Sequence, residues 1–313
     1  MAMMVGRRKF VIGALGGAAA LCSGLDVRSE EIMSPSAGTE RPKFRVPTNS
    51  YDAHFHIYDS RFPAAPNASL IPPDASVEAY SKLRDRLGFE RSVIVQPSTY
   101  GTDNSCMLSA LGKLGARARG IAVVDTSVTD ETLKQLDKAG VRGIRFNLGR
   151  AGATTVDMIE PLSRRVAELG WHIQLHMPGD DIAANADLLT RLPVTVVFDH
   201  LGRIPQPAGT GHPAFALIVA MLEKEKAYVK LSSIYQDTKV GPPSYEDMGV
   251  LARAYLKMAP DRVLWASDWP HPSPGKFGKP DDALLVDLCA QWAPDDATRQ
   301  KIFVDNAAKL YGF

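Results

Sequence analysis

Tyr51-Asp52-Ala53-His54-Phe55-His56 is a short, largely apolar run that ends on two histidines separated by one residue. Its length suits a buried strand, and the period of two puts His54 and His56 on one side of the chain. Working outward, seven more short apolar runs follow, at 92–96, 120–125, 143–147, 172–176, 194–199, 227–231 and 262–267. They are rich in β-branched residues, as parallel strands buried on both faces are. Amphipathic stretches at 77–87, 129–139, 156–169, 183–192, 213–226 and 245–258 lie between them, and 281–292 and 295–310 close the chain. Eight evenly spaced strands, nearly all followed by a helical pattern, predict an α/β fold of the (β/α)8 TIM-barrel type. A doubly wound open sheet is the rival, but it rarely needs eight strands at such even spacing. With no repeat, low-complexity segment or composition break, residues 48–313 read as a single domain.

A barrel of this kind carries its site at the carboxyl ends of the strands, so reactive side chains should gather there. His54 and His56 end the first strand, His176 the fifth, His200 the sixth and Asp268 the eighth, while Arg145 lies in the fourth. Of seven histidines, four fall at strand ends, which a surface scatter would not give. Each alone has a duller reading: a histidine capping a carbonyl, Arg145 in a structural ion pair, Asp268 stabilising a turn before Trp269-Pro270. Their coincidence at one rim favours a site. His172, early in its strand, reads as a buried, satisfied histidine. His212 and His271 fall in loops, the latter near enough to the rim to touch a substrate.

The 313 residues are 45% hydrophobic and 23% charged, with a formal net charge of +1. That balance gives no electrostatic reason to expect nucleic acid as a partner. Cys22, Cys106 and Cys289 show no zinc-type spacing. Cys106 and Cys289 read as unpaired thiols, a disulfide between them being the alternative in an oxidising compartment. At the N-terminus, Arg7-Arg8 precedes an apolar run from Val11 to Leu21 that is too short to span a bilayer. This is the pattern of a secretory signal of the twin-arginine type over 1–25, implying a periplasmic protein with no membrane segment once mature. Residues 26–47, rich in Ser, Pro and charge, read as a flexible tether. Oligomeric state is not legible.

His54-x-His56, the strand-end His176, Asp199-His200-Leu201-Gly202 and Ala266-Ser267-Asp268-Trp269-Pro270 together resemble the amidohydrolase-related branch of the amidohydrolase superfamily. The ending Phe303-Val304-Asp305-Asn306-Ala307-Ala308-Lys309-Leu310-Tyr311-Gly312-Phe313 is also typical of that branch, so the resemblance runs from Tyr51 to the C-terminus. Gly143-Ile144-Arg145-Phe146-Asn147, Val95-Gln96-Pro97-Ser98 and Asp199-His200-Leu201-Gly202-Arg203 are most similar to members acting on lactones of dicarboxylic acids. The resemblance implies a small acidic lactone as substrate. It also implies one of two metal contents. Many members hold metal, and His54, His56, His176 and Asp268 would supply a single Zn2+. The lactone-acting members work without metal, and a fixed Arg145 beside the histidines repels a cation, so no cofactor is the expectation.

On that basis Asp268 is expected to be the general base. His54, His56 and His176 are expected to donate hydrogen bonds to the carbonyl oxygen as charge develops. Arg145 and Arg203 would hold substrate carboxylates, with Arg150 assisting and Ser98 and Tyr100 offering hydroxyl contacts. His200 would contact substrate or orient Asp268. Water as nucleophile gives a lactone hydrolase; a substrate hydroxyl gives a lactone isomerase. A zinc-dependent decarboxylase and a non-catalytic sugar-acid binder are the rivals from other classes.

Overall fold

The computed structural model describes residues 35–149 and 152–313. The expected signal segment, Cys22 and Arg150 lie outside them. Eight parallel strands run in sequence order around one sheet. They are β1 Tyr51–Phe55, β2 Arg91–Val95, β3 Ala118–Ala122, β4 Val141–Asn147, β5 His172–His176, β6 Val196–Phe198, β7 Ala227–Leu231 and β8 Val263–Trp265. The ring closes just past β8, where Asp268 donates its backbone N–H to the carbonyl of His54 at 2.9 Å and His56 donates to that of Trp269 at 2.8 Å. The barrel expected from the sequence is therefore the fold.

Local chemistry explains the elements. The helix Val77–Leu87 starts where the Ser76 side chain accepts from the Ala79 N–H and ends at Gly88, whose φ of 89° a residue with a Cβ rarely adopts. It buries Val77, Tyr80, Leu83 and Leu87 at helical spacing, and the Tyr80 ring stacks on Phe55 of β1 at 3.5 Å between centroids. No helix was expected between β2 and β3, yet Ser105–Leu114 is one, burying Cys106, Met107, Ala110 and Leu111. Gly112 and a polar start disguise it. The third strand was expected at 120–125 and runs Ala118–Ala122 instead. Beyond it, the Asn104 amide brackets Val123, accepting from its N–H and donating to its carbonyl, and so takes over the bonds a longer strand would have made. At its start Arg119 is tolerated because its guanidinium reaches out to the carbonyl of Gly312.

The segment expected as a flexible tether is fastened in its described part. Backbone N–H groups of Lys43 and Phe44 donate to the Asp287 carboxylate at 3.2 and 2.8 Å. The Phe44 ring stacks on Phe303 and Val46 is buried. These two apolar residues gain more from docking than the surrounding polar composition suggested. Cys106 and Cys289 are both free, buried thiols.

Candidate active site

Alternation along the strands sets polar side chains into the barrel in two layers. Register pairs Arg145 of β4 with Gln174 of β5, and Asn147 with His176 one step higher. Lys230 in β7 and Ser232 just past it keep the same interval of two.

The lower layer centres on Asp199, which is wholly buried. It accepts from Arg145 Nε at 3.0 Å and Gln174 Nε2 at 3.1 Å, with His54 Nδ1 at 3.3 Å and Lys230 Nζ at 3.6 Å. Burial alone would push its carboxyl up; His54, Lys230 and Arg145 instead hold it well below the usual carboxylate range. Lys230 donates to Gln174 Oε1 at 2.6 Å, and burial, opposed by Asp199, lowers its ammonium to about 8. Asp199 and Lys230 are thus ionised at neutrality.

In the upper layer the partners dictate which ring nitrogens carry protons. His56 Nδ1 lies 2.8 Å from the carbonyl of Val95, which can only accept, so His56 carries a proton there. His54 Nε2 and His56 Nε2 lie 3.2 Å apart and share a proton in one hydrogen bond. His54 Nδ1 faces Lys230 and Gln174, both at 3.4 Å, and the Asp199 carboxylate at 3.3 Å. His176 Nε2 accepts from Arg203 Nη1 at 2.9 Å, and its Nδ1 faces Asn147 Oδ1 at 2.9 Å. His200 Nδ1 meets the Ser232 hydroxyl at 2.8 Å. With that hydroxyl donating, His200 presents Nε2–H. Burial holds His54 and His176 well below the usual imidazole range and His200 at about 4, so all three are neutral. His176 Nε2, taken up by the Arg203 guanidinium, is thus not available as a donor to a substrate; His200 Nε2 is.

Asp268 stands over this layer. Its Oδ1 lies 3.6 Å from His54 Nε2, 3.6 Å from His56 Nε2 and 3.9 Å from His200 Nε2. Its Oδ2 accepts from the Tyr235 hydroxyl at 2.7 Å. Burial would raise its pKa, but His200, His56 and His54 together hold it well below the usual value, as a carboxylate. Its backbone is left-handed, φ 64°, as is that of His200, φ 54°; such strain outside glycine is kept mostly at functional sites.

These groups open onto a pocket with His56, Arg145, His176, His200, Asp268 and Ser98 in its wall. His54 sits beneath, fully buried. Two expected contacts are directed elsewhere. The Tyr100 hydroxyl accepts from the Asp59 N–H at 2.8 Å. Arg203 forms two bonds to Asp237, at 2.7 and 2.8 Å, besides the one to His176. His271, expected in a loop near the rim, is wholly buried between Tyr235 and Asp282. His172 is buried as expected, but its Nε2 has no partner. His212 caps the helix Pro213–Glu223 and pairs with Asp180.

Lys230, Gln174, Asp199, Ser232 and Tyr235 were not singled out from the sequence. Lys230 had a signal: Ala227-Tyr228-Val229-Lys230-Leu231 carries one charge inside an otherwise uncharged strand, two residues before a polar Ser232.

The ligand atoms of His54, His200 and Asp268 lie within 4.8 Å of one another and could hold one divalent ion. Of the other two histidines expected in a zinc set, His56 has its Nδ1 bonded to the Val95 carbonyl and His176 its Nε2 to a guanidinium.

A model of the amidohydrolase family matches residues 51–313. The chain is 39% identical over 287 residues to 2-pyrone-4,6-dicarboxylate hydrolase of Comamonas testosteroni, covering 88% of this chain and 94% of that one. It is 35% identical over 288 residues to 4-sulfomuconolactone hydrolase of Rhizobium radiobacter, covering 90% and 95%. A solved apo structure from Agrobacterium tumefaciens superposes with a TM-score of 0.81 at 27% identity, covering 87% of this chain and 98% of that one.

Proposed function

The chain belongs to the amidohydrolase family, and from that premise we propose that it opens the ring of a lactone of a dicarboxylic acid by hydrolysis, without a metal. The observation that carries this reading is one carboxylate oxygen, Asp268 Oδ1, set within 3.6–3.9 Å of three imidazole Nε2 atoms at a pocket that Arg145 also lines. Two relatives that are lactone hydrolases by name support it. Water attacks the lactone carbonyl as Asp268 takes its proton. Negative charge on the carbonyl oxygen is met by His200 Nε2–H, a neutral donor preset by Ser232. The ring C–O bond then breaks, and the departing oxygen recovers the proton from Asp268, giving the hydroxy acid. Arg145, its Nε anchored on Asp199, holds a substrate carboxylate.

Charge balance supports the metal-free reading. Asp199 and Asp268 are already matched by Arg145 and Lys230, and Lys230 lies 3.4 Å from His54. A divalent ion would add two positive charges beside two buried cations. If one is bound, His54, His200 and Asp268 would hold it, and it would polarise the carbonyl. Export through the segment around Arg7 and Arg8 is part of the proposal, resting on the basic pair before an apolar run.

The test is a panel of aromatic and sugar-derived dicarboxylate lactones, with chelator or with added zinc, following ring opening and lactone interconversion separately. Chelator-resistant ring opening is the expected result. Activity restored only by zinc refutes the metal-free mechanism, and interconversion without net hydrolysis reassigns the protein as an isomerase.

A further inference from the structure

Behind Asp268, on the side away from the pocket, lies a chain of buried polar groups that the chemistry above does not use. Tyr235 has one hydroxyl hydrogen, and its oxygen is 2.7 Å from Asp268 Oδ2 and 3.1 Å from His271 Nδ1. His271 Nε2 is in turn 3.1 Å from Asp282 Oδ2. Tyr235, His271 and Asp282 are all at most 1% exposed. They come from three separate segments: the short helix Ile234–Asp237, the turn after Asp268 and the first residue of the helix Asp282–Trp292.

We propose that Asp282, His271 and Tyr235 form a positioning relay that fixes the Asp268 carboxylate, presenting its Oδ1 to the pocket.

The direction of each bond follows from donor inventory. An ionised carboxylate only accepts, so the Tyr235 proton points at Asp268. The phenol oxygen then has no proton left for His271 and must accept from it. His271 therefore carries a proton on Nδ1, and a second proton lies between its Nε2 and Asp282. This one arrangement of protons satisfies the whole chain, and it delivers a donor to Asp268 from behind. A buried imidazole–carboxylate pair costs more desolvation than an apolar pair of the same shape, so its retention needs a reason beyond packing. Here the hydrogen bonds of that pair lead to Tyr235 and through it to Asp268. The backbone conforms to the same end: Asp268 and His271 are both left-handed, at φ 64° and 57°, and the His271 N–H donates to the Asp268 carbonyl at 2.9 Å. That tight turn folds His271 back beneath the residue it serves.

The relay rests on the reading of Asp268 as general base, and the test separates the two. Tyr235→Phe keeps the ring and removes only the donor. Its kcat should fall by about 10- to 100-fold with KM changed by less than about twofold, because the loss is of base alignment rather than of substrate contact. Its melting temperature should stay close to that of the parent. Nitrogen-15 NMR of histidine-labelled full-length protein should show His271 protonated at Nδ1. A Tyr235→Phe kcat within about twofold of the parent, or a bare Nδ1 on His271, overturns the relay. Asp268→Asn is the control: if it keeps full turnover, the general-base reading fails, whatever the tautomer of His271.

Discussion

Asp199 offers the sharpest test of how this barrel is held together. Changing it to Asn removes one negative charge from a wholly buried cluster while nearly preserving shape. Arg145, at 3.0 Å, and Lys230, at 3.6 Å, would then face each other across an amide with no adjacent countercharge. Breaking a buried ion pair from one side costs about 3–5 kcal/mol. For a domain of this size about 2–4 °C of melting temperature accompanies each kcal/mol, so the loss should be about 6–20 °C at neutral pH. The pH dependence supplies a second check. Lys230 titrates at about 8 in the fold against 10.5 ordinarily, and Asp199 is what resists a larger fall. In the variant the ammonium deprotonates at lower pH. Over the interval from that lowered value to 10.5 the unfolded chain binds a proton that the native chain has shed, so stability rises with pH. In the parent that rise begins only near 8. The stability gap between the two proteins should therefore narrow between about pH 6 and pH 8. Thermal unfolding followed by circular dichroism across that range decides the matter. A melting loss under about 2 °C, or a gap that widens with pH, refutes the account of the cluster.

Asp268→Asn should lower kcat by at least about 100-fold while the protein still folds, as steady-state kinetics and circular dichroism would show. Ser232→Ala frees His200 to take either tautomer; kcat should drop by about tenfold, and normal turnover would remove His200 as the preset donor. Arg145→Lys should raise KM for acidic lactones by about 10-fold or more, because an ammonium cannot grip a carboxylate with two parallel bonds, while neutral lactones should be affected little. His200, held neutral at about 4 by burial, is protonated in the unfolded chain below 6.5. Stability should thus fall as acid is added through that window, by about 3 kcal/mol from this residue. Urea denaturation at pH 6.5 and pH 4.5 would expose the trend, and equal midpoints would contradict it.

The strands were legible because each buries both faces, which leaves a run of apolar letters whatever surrounds it. His54, His56, His176, His200 and Asp268 were legible because polar residues ending such runs have one place to go. What they do there was less so. That His56 donates through Nδ1 and His176 accepts through Nε2 depends on the Val95 carbonyl and on Arg203, which come from other elements. Asp199 stood in plain view beside His200 but looked like part of a turn; its importance lies in meeting β4, β5 and β7 at once. Tyr235 and Asp282 carry no periodic signal, since each enters from a helix end. The missed helix Ser105–Leu114 shows the same limit, as its apolar face becomes evident only against β3.

A ligand carboxylate that took Arg203 as a two-bond partner would enter by exchange. The guanidinium is already doubly bonded to Asp237 and singly to His176, so that two-bond grip is won only by displacing a carboxylate. An uncharged ester offers too little in trade and leaves the arm where it is; an anion can compete on equal terms. Discrimination against neutral rings would then arise before any bond is broken, from a rivalry settled inside the protein, and the winner would loosen the segment that Asp237 belongs to.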